Sequence, residues 1–354
     1  MENFKTHLKC ATAAAALALS AQAALAENVI TVNATQIFGT VDPAKINDYT
    51  EYMAGVNLYE ALTTLDGSGA IQPLLAESWT TSEDGLTWSF TLKEGATFQD
   101  GSPIEAKDVV WSVNRLLAIN EGPSYLFEGV LSEGSVTEVD SRTVQFVLEK
   151  TYAPFLTTTP ILFVVNSDLA KENAGDDEWA QDHIANNSIG AGAYMLDSWD
   201  RGASMTMKAY DGYHLGWSDD RIDEVRFVIT NEEATVKALA ASGTLSMSAD
   251  SQAQETYDSI GALEDYRIVE YPTAVNFYFK LNNNHAPTDD VNIRKAVAYA
   301  TDYETIRDVI LPGEPLAGPM PPIFADAFAS DLEMPVFDLD KAKEFVKASK
   351  YAGA

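Results

Sequence analysis

Between Leu86 and Leu117 the chain changes its hydrophobic period from two to 3.6, and this limits the fold more than any other feature. Leu86-Thr87-Trp88-Ser89-Phe90-Thr91-Leu92 alternates apolar and polar side chains, which predicts a half-buried strand with four apolar groups on one face. From Ala106 the residues Ala106, Val109, Val110, Val113 and Leu117 recur at helical spacing, which predicts a single helix to about Ile119. Elements with one apolar face must bury that face against another layer.

The rest of the chain mixes both periods. Val29-Ile30-Thr31-Val32 predicts a short strand running into a loop, Gln36 to Pro43, that contains Phe38, Gly39 and Asp42. A helix is expected from about Tyr49 to Leu62, followed by the turn-rich Asp66-Gly67-Ser68-Gly69. Val136 to Val139 and Thr143 to Leu148 predict an antiparallel hairpin across Asp140-Ser141-Arg142. Glu224 to Ile229 reads as a strand, Glu232 to Ala241 as a helix ended by Gly243, and Leu245 to Met247 as another strand, the order of a parallel crossover. Val275 to Leu281 is strand-like, and Val291 to Ile310 predicts two helices, the second capped by Asp302. These alternations indicate an α/β protein. At 354 residues with 46 % apolar side chains, two or more lobes are expected.

The N-terminus predicts export. Lys5 and Lys9 precede an apolar run from Ala11 to Leu19, and Ala24-Leu25-Ala26 is a small-x-small cleavage pattern, so a signal peptide is expected at 1–26. That run is shorter than the ~20 residues that span a bilayer. The only cysteine, Cys10, lies inside the expected leader, which argues against a lipid anchor, a thiol catalyst or a thiolate metal site. Removing Glu2, Lys5 and Lys9 takes the formal charge from -30 to -31, a surface that repels nucleic acid. The acids are scattered along the chain, as solubility in a salty medium requires, although attraction of cationic ligands fits the same composition.

No nucleophile elbow, phosphate loop or dinucleotide fingerprint is present. His183, His214 and His285 are far apart and outside any metal-ligand helix pattern, so no metal and no cofactor are expected. The pairs Asp176-Asp177 and Asp219-Asp220 suit the acid and base roles of a hydrolase, but adjacent acids also arise by composition in so acidic a chain. Trp79, Trp88, Trp111, Trp179, Trp199 and Trp217 are read mainly as core; Trp88 on its strand and Trp111 on its helix fit that reading.

Asn57-Leu58-Tyr59-Glu60-Ala61-Leu62, Ile71 to Trp79 and above all DGLTWSFTLKEGATFQDGSPIEAKDVVWSVNR, Asp84 to Arg115, resemble the dipeptide- and oligopeptide-binding proteins of ABC importers, solute-binding family 5. Tyr152-Ala153-Pro154-Phe155-Leu156, Gly190-Ala191-Gly192-Ala193-Tyr194, Tyr210 to Tyr213, Ile222 to Val225 and Asn292 to Asp302 follow in the family's order. Ala191 and Ala193 stand where the family commonly has Thr and Pro, and Ser246 where it commonly has Asp.

The resemblance implies a bilobal periplasmic-binding-protein-like α/β fold, type II, of the three-domain peptide-binding subclass. On that pattern domain I is discontinuous, at 27–57 and 188–270, domain II is inserted at 58–187, and 271–354 begins domain III. Asp338 to Phe345 resembles a helix from the middle of domain III, so the chain is expected to be truncated at its C-terminus. The implied function is a periplasmic receptor that captures a di- or oligopeptide between two lobes and delivers it to an inner-membrane ABC permease, as a monomer and without catalysis. Opines, sugars, nickel complexes and glutathione are bound by relatives, so the ligand stays open, with an exported hydrolase as the alternative function. Ligands in such sheets sit near strand ends and lobe junctions, which selects Gln36, Phe38, Gly39 and Thr40 after the first strand, and Asn276, Phe277 and Tyr278 toward domain III, as candidate substrate contacts; simple scaffold remains the other reading of each.

Overall fold

The computed structural model describes residues 28–353 apart from 37, 249–251, 271–275, 311–312, 314–315, 323, 325–326 and 335. The expected leader and Val275 of the expected strand lie outside the described residues. Among the described residues, no helix is long and apolar enough to cross a membrane.

The chain divides into two compact units, one running to Asn231 and including Leu245–Ser248, the other formed by Glu232–Thr244 and the residues from Ala249 onward. In chain order the first contains β1 (Val29–Ala34), α1 (Tyr49–Leu58), β2 (Glu60–Ala61), β3 (Thr63–Leu65), β4 (Ile71–Pro73), β5 (Ala76–Thr81), β6 (Thr87–Leu92), α2 (Ala106–Ile119), β7 (Val136–Asp140), β8 (Thr143–Val147), β9 (Phe163–Val164), β10 (Tyr194–Asp200), β11 (Ser204–Ala209) and β12 (Glu224–Ile229).

Two sheets organise this unit. One has the order β1-β12-β11-β10, with β1 parallel to β12 in the register Val29↔Glu224 to Ala34↔Ile229 and the other pairs antiparallel. Met247 forms a parallel bridge to Val32 on the free side of β1, so the expected crossover exists, shortened on its far side to a single bridge. The other sheet, β5-β6-β8-β7, is wholly antiparallel. Its core contains Phe90, Phe146 and Phe155 under the Val109, Val113 and Leu116 stripe of α2, as the change of period predicts. A second core joins Val32, Phe38, Leu58, Met205, Met207, Val225 and Phe227.

The sequence reading of α1 is corrected. Asp48 caps the helix by accepting from Glu51 N at 3.0 Å, but the helix stops at Leu58 and not at Leu62. Tyr59 is extended (φ -127, ψ 163), and Glu60–Ala61 pair antiparallel with β9. Leu58, Tyr59, Ala61 and Leu62 are all buried, so no polar face marks the switch from helix to strand. The β10–β11 hairpin is an element that sequence reasoning passed over, although Met205 and Met207 alternate with Ser204, Thr206 and Lys208 on β11.

Gly190 and Gly192 bring the segment before β10 against the end of α1. A Cβ at Gly192 would lie 2.1 Å from Asn57 O, and one at Gly190 2.3 Å from Leu58 O. Gln99 closes the seam, its side-chain amide donating to Leu58 O, Gly192 O and Tyr194 O at 3.2, 3.0 and 2.6 Å.

The second unit is mainly helical among its described residues: α3 (Glu233–Ala241), α4 (Gln254–Gly261), α5 (Val291–Ala300) and α6 (Leu339–Ala348), with short turns at Tyr303–Thr305 and Ile306–Ile310. Lys237 pairs with Glu255 at 3.1 Å, and Glu233 accepts from Ala253 N and the Thr256 hydroxyl, tying α3 to α4. Tyr299 of α5 stacks on Phe345 of α6 at 5.5 Å, and Asp338 caps α6 by accepting from Asp340 N and Lys341 N. Asp302 accepts from Thr305 N, as expected of a cap. Residues 276–281 form no strand. Alternation supplies a face but no partner, and among the described residues nothing forms a ladder with this segment.

Candidate functional site

The loop after β1 is pinned by groups from three directions. Phe38 turns inward, 1 % exposed, with its ring edge-on to Phe227 of β12 at 5.1 Å. Gly39 N donates to Glu51 Oε1 at 3.1 Å, and Asn47 N donates to Glu51 Oε2 at 3.0 Å, so one carboxylate of α1 holds both ends of the loop. Burial pushes the Glu51 carboxyl above the usual range, with the charge of Asp48 acting in the same direction. Arg201, in the β10–β11 turn, donates to Gly39 O at 3.2 Å and to Asn186 Oδ1 at 2.5 Å while stacking 3.9 Å over the Trp199 ring.

Asp42 supplies the third attachment. Its Oδ1 accepts from Ala44 N at 3.0 Å, and its own N donates to Thr40 Oγ1 at 2.9 Å. Both carboxylate oxygens accept from Arg115 of α2, each at 2.6 Å, and the two side chains are 0 % and 1 % exposed. Arg115 Nε donates to Trp179 O at 2.7 Å, and its guanidinium lies 5.8 Å from the Trp111 ring. The loop therefore presents Gln36 and Gly39 outward and keeps Thr40 half-buried, on a backbone whose polar groups are tied down.

Asn276, Phe277 and Tyr278 belong to the second unit. Asn276 Nδ2 donates to Pro319 O at 2.8 Å, while Phe277 and Tyr278 are 68 % and 65 % exposed. The structure thus groups Gln36, Phe38, Gly39 and Thr40 in one loop and Asn276, Phe277 and Tyr278 in one segment without regular secondary structure.

Sequence reasoning missed the side chains that hold the loop. Arg115 stands at the end of an apolar helix stripe, where a charge normally reaches solvent; its offset of six from Val109 and two from Val113 was the available signal that it shares neither face fully. A further buried cluster joins Glu60 of β2 to Tyr213 and His214: the Tyr213 hydroxyl donates to Glu60 Oε1 and His214 Nε2 lies against Glu60 Oε2, each at 2.6 Å. Burial, with the charge of Glu60 adding to it, pushes the Tyr213 hydroxyl far up. His214 is thus a packed residue with a carboxylate partner. Among the described residues, no group of three or more His, Cys, Asp or Glu could hold a metal ion.

The carboxylate pairs have local partners. Asp177 accepts from Trp179 N and Gln181 N, and although burial pulls its carboxyl up, these bonds leave it below the usual range. Asp220 is lowered mainly by the Ser218 hydroxyl.

Solved structures share the fold. The chain is similar to the periplasmic binding protein DppA of Helicobacter pylori in complex with the peptide STSA, with a TM-score of 0.76 and 22 % identity over 92 % of this chain and 67 % of that one. It is also similar to the murein tripeptide binding protein MppA of Escherichia coli, with a TM-score of 0.78 and 22 % identity over 93 % of this chain and 67 % of that one. The fold is the α/β fold of the periplasmic peptide-binding proteins.

Residues 70–354 match the model of the bacterial extracellular solute-binding proteins, family 5 Middle, and the chain belongs to that family. It is 30 % identical over 310 residues to the probable D,D-dipeptide-binding periplasmic protein DdpA of Escherichia coli, covering 85 % of this chain and 58 % of the relative. It is 27 % identical over 358 residues to the glutathione-binding protein GsiB of Salmonella paratyphi A, covering 99 % of this chain and 67 % of the relative. The chain therefore spans about three fifths to two thirds of the length of these relatives.

Proposed function

We propose that this protein is the periplasmic receptor of an ABC importer, which captures a di- or oligopeptide between two lobes and hands it unchanged to an inner-membrane permease. The observation that carries this reading is the family match over residues 70–354. Relatives named for D,D-dipeptides and glutathione, and a similar fold solved with a bound peptide, favour a peptide as the solute. Binding energy then serves to populate one conformation that a permease can recognise, and no bond need be made or broken.

Domain I is assigned to 27–57 and 188–270, domain II to 58–187 and the start of domain III to 271–354. The two sheets of the first unit, each with its own core, support the separation of domains I and II. Gln36, Gly39 and Thr40 are assigned to solute contact, with Phe38 anchoring them from the core. Asn276, Phe277 and Tyr278 are assigned to solute contact as well. The segment 276–281 forms no ladder among the described residues, which favours it for pairing with an added peptide strand. Export through a cleaved leader and a monomeric state complete the reading.

Native mass spectrometry of the whole gene product purified from its host tests it. One small peptide per chain, recovered at unchanged mass and raising the unfolding temperature on re-addition, is the expected result. Release of a cleaved product would place the protein among hydrolases instead.

A further inference from the structure

We infer that Arg115 is the positioning residue of the solute-binding loop: from a helix of the antiparallel-sheet layer it fixes the loop backbone that presents Gly39 and Thr40. The inference rests on the assignment of that loop to solute contact. Arg115 and Asp42 lie 73 residues apart in the chain and meet only in the fold.

The geometry is a chain of fixed parts. Its base is α2, whose N-terminus is closed by a reciprocal capping box between Glu105 and Asp108. Asp108 also accepts from Ser167 N and Ser167 Oγ at 3.1 and 2.6 Å, so the helix is tied to the following layer. Arg115 cannot rotate freely, because Nε is engaged by Trp179 O and Trp111 lies alongside its guanidinium. The two-pronged bond to Asp42 sets the plane of that carboxylate as well as its distance. Asp42 then fixes Ala44 N, and its own N–H fixes the Thr40 hydroxyl. Orientation thus passes from a helix axis to a loop without any flexible link.

Stability alone is a poor reason for this arrangement. A buried ion pair loses much of its attraction to desolvation, and apolar residues of similar volume often replace one without loss. What apolar residues cannot supply is a directional grip on particular loop groups.

The test uses the protein at its full natural length. The variant Asp42→Leu/Arg115→Met removes both charges while keeping an apolar fill, and Arg115→Lys keeps the charge but loses the two-pronged geometry. Amide hydrogen exchange is followed in the absence of solute, and L-alanyl-L-alanine and glutathione serve as binding probes. In the double variant, exchange at Asp42 and Ala44 is expected to rise by about tenfold or more while amides of β6 and β8 keep their wild-type rates. Affinity for whichever probe binds the wild type should fall by about tenfold, with Arg115→Lys in between. Loop exchange at wild-type rates in a folded double variant overturns the inference, as does wild-type affinity with a loosened loop. If the wild type binds neither probe, the exchange measurement alone decides the role of Arg115.

Discussion

The loop after β1 carries a buried carboxylate, Asp42, and a buried ring, Phe38, and is held by the buried Glu51 of α1, whereas residues 277–279 carry three consecutive aromatic side chains that are 68, 65 and 74 % exposed. Both stretches were selected from the same topological expectation. The first is over-determined: the Gly39 amide is engaged by α1, the Gly39 carbonyl by the β10–β11 turn and the Asp42 carboxylate by α2. The second has no ladder partner among the described residues. A preorganised loop pays its ordering entropy during folding, so a solute meeting it need not supply that free energy. A segment without regular secondary structure must still be ordered if a strand is to pair with it.

The largest effect expected from this contrast lies at the ion pair. Asp42→Ala leaves the Arg115 guanidinium buried without its partner and should destabilise the first unit by about 3–5 kcal/mol. Urea denaturation followed by intrinsic fluorescence measures this, and a loss under about 1 kcal/mol would mean that the pair reaches water in solution. Phe38→Ala follows at about 3–5 kcal/mol, because it empties a site packed against Phe227. Gly192→Ala drives a Cβ toward the Asn57 carbonyl oxygen and should cost about 1–3 kcal/mol, whereas Gly67→Ala, with nothing within 4 Å, should stay within about 0.5 kcal/mol.

The same contrast explains what was legible in the sequence. The strand at Thr87–Leu92, the helix at Ala106–Ile119, the hairpin around Asp140 and the strand at Glu224–Ile229 each have one apolar and one polar face, so periodicity found them. The segment Leu58 to Leu62 is buried on every side, and its helix-to-strand switch left no periodic trace. For residues 276–281 the reverse holds: the pattern of a strand is present, but a strand is a property of two segments and pattern describes only one. The loop was found as a loop, yet Arg115 and Glu51 were not read as its anchors, since a contact across 73 or 12 residues depends on the finished fold.

A pH experiment separates buried from exposed carboxylates. Glu51 has a folded pKa above its unfolded value near 4.3, so the stability it contributes is full below that value and is lost as pH rises through the raised folded value. The stability difference between wild type and Glu51→Gln should accordingly shift against the wild type as pH rises above about 4. Asp66, an exposed turn residue, has the opposite sign. Hydrogen bonds from the Ser68 hydroxyl and backbone N–H lower it to about 2, so its contribution is present above an unfolded value near 3.9 and is lost as pH falls toward about 2. Urea midpoints of each variant against wild type across this range give both slopes, and slopes of equal sign would contradict the assigned environments.

The smallest effect on stability is expected at Phe277→Ser, which removes an apolar side chain already two-thirds in water and should change the unfolding free energy by no more than about 0.5 kcal/mol. Its value lies in the pairing with Phe38→Ala. If 276–281 pairs with an incoming peptide strand, Phe277→Ser weakens solute binding while leaving the unfolding midpoint where it was, because its ring is ordered only in the complex. Phe38→Ala should lower both quantities together, since the ring that anchors the loop is part of a core. Calorimetric titration and urea denaturation of the two variants side by side give four numbers. A Phe277→Ser protein that unfolds more easily yet binds as tightly as wild type would make the aromatic segment a structural seam and leave solute contact to the loop after β1.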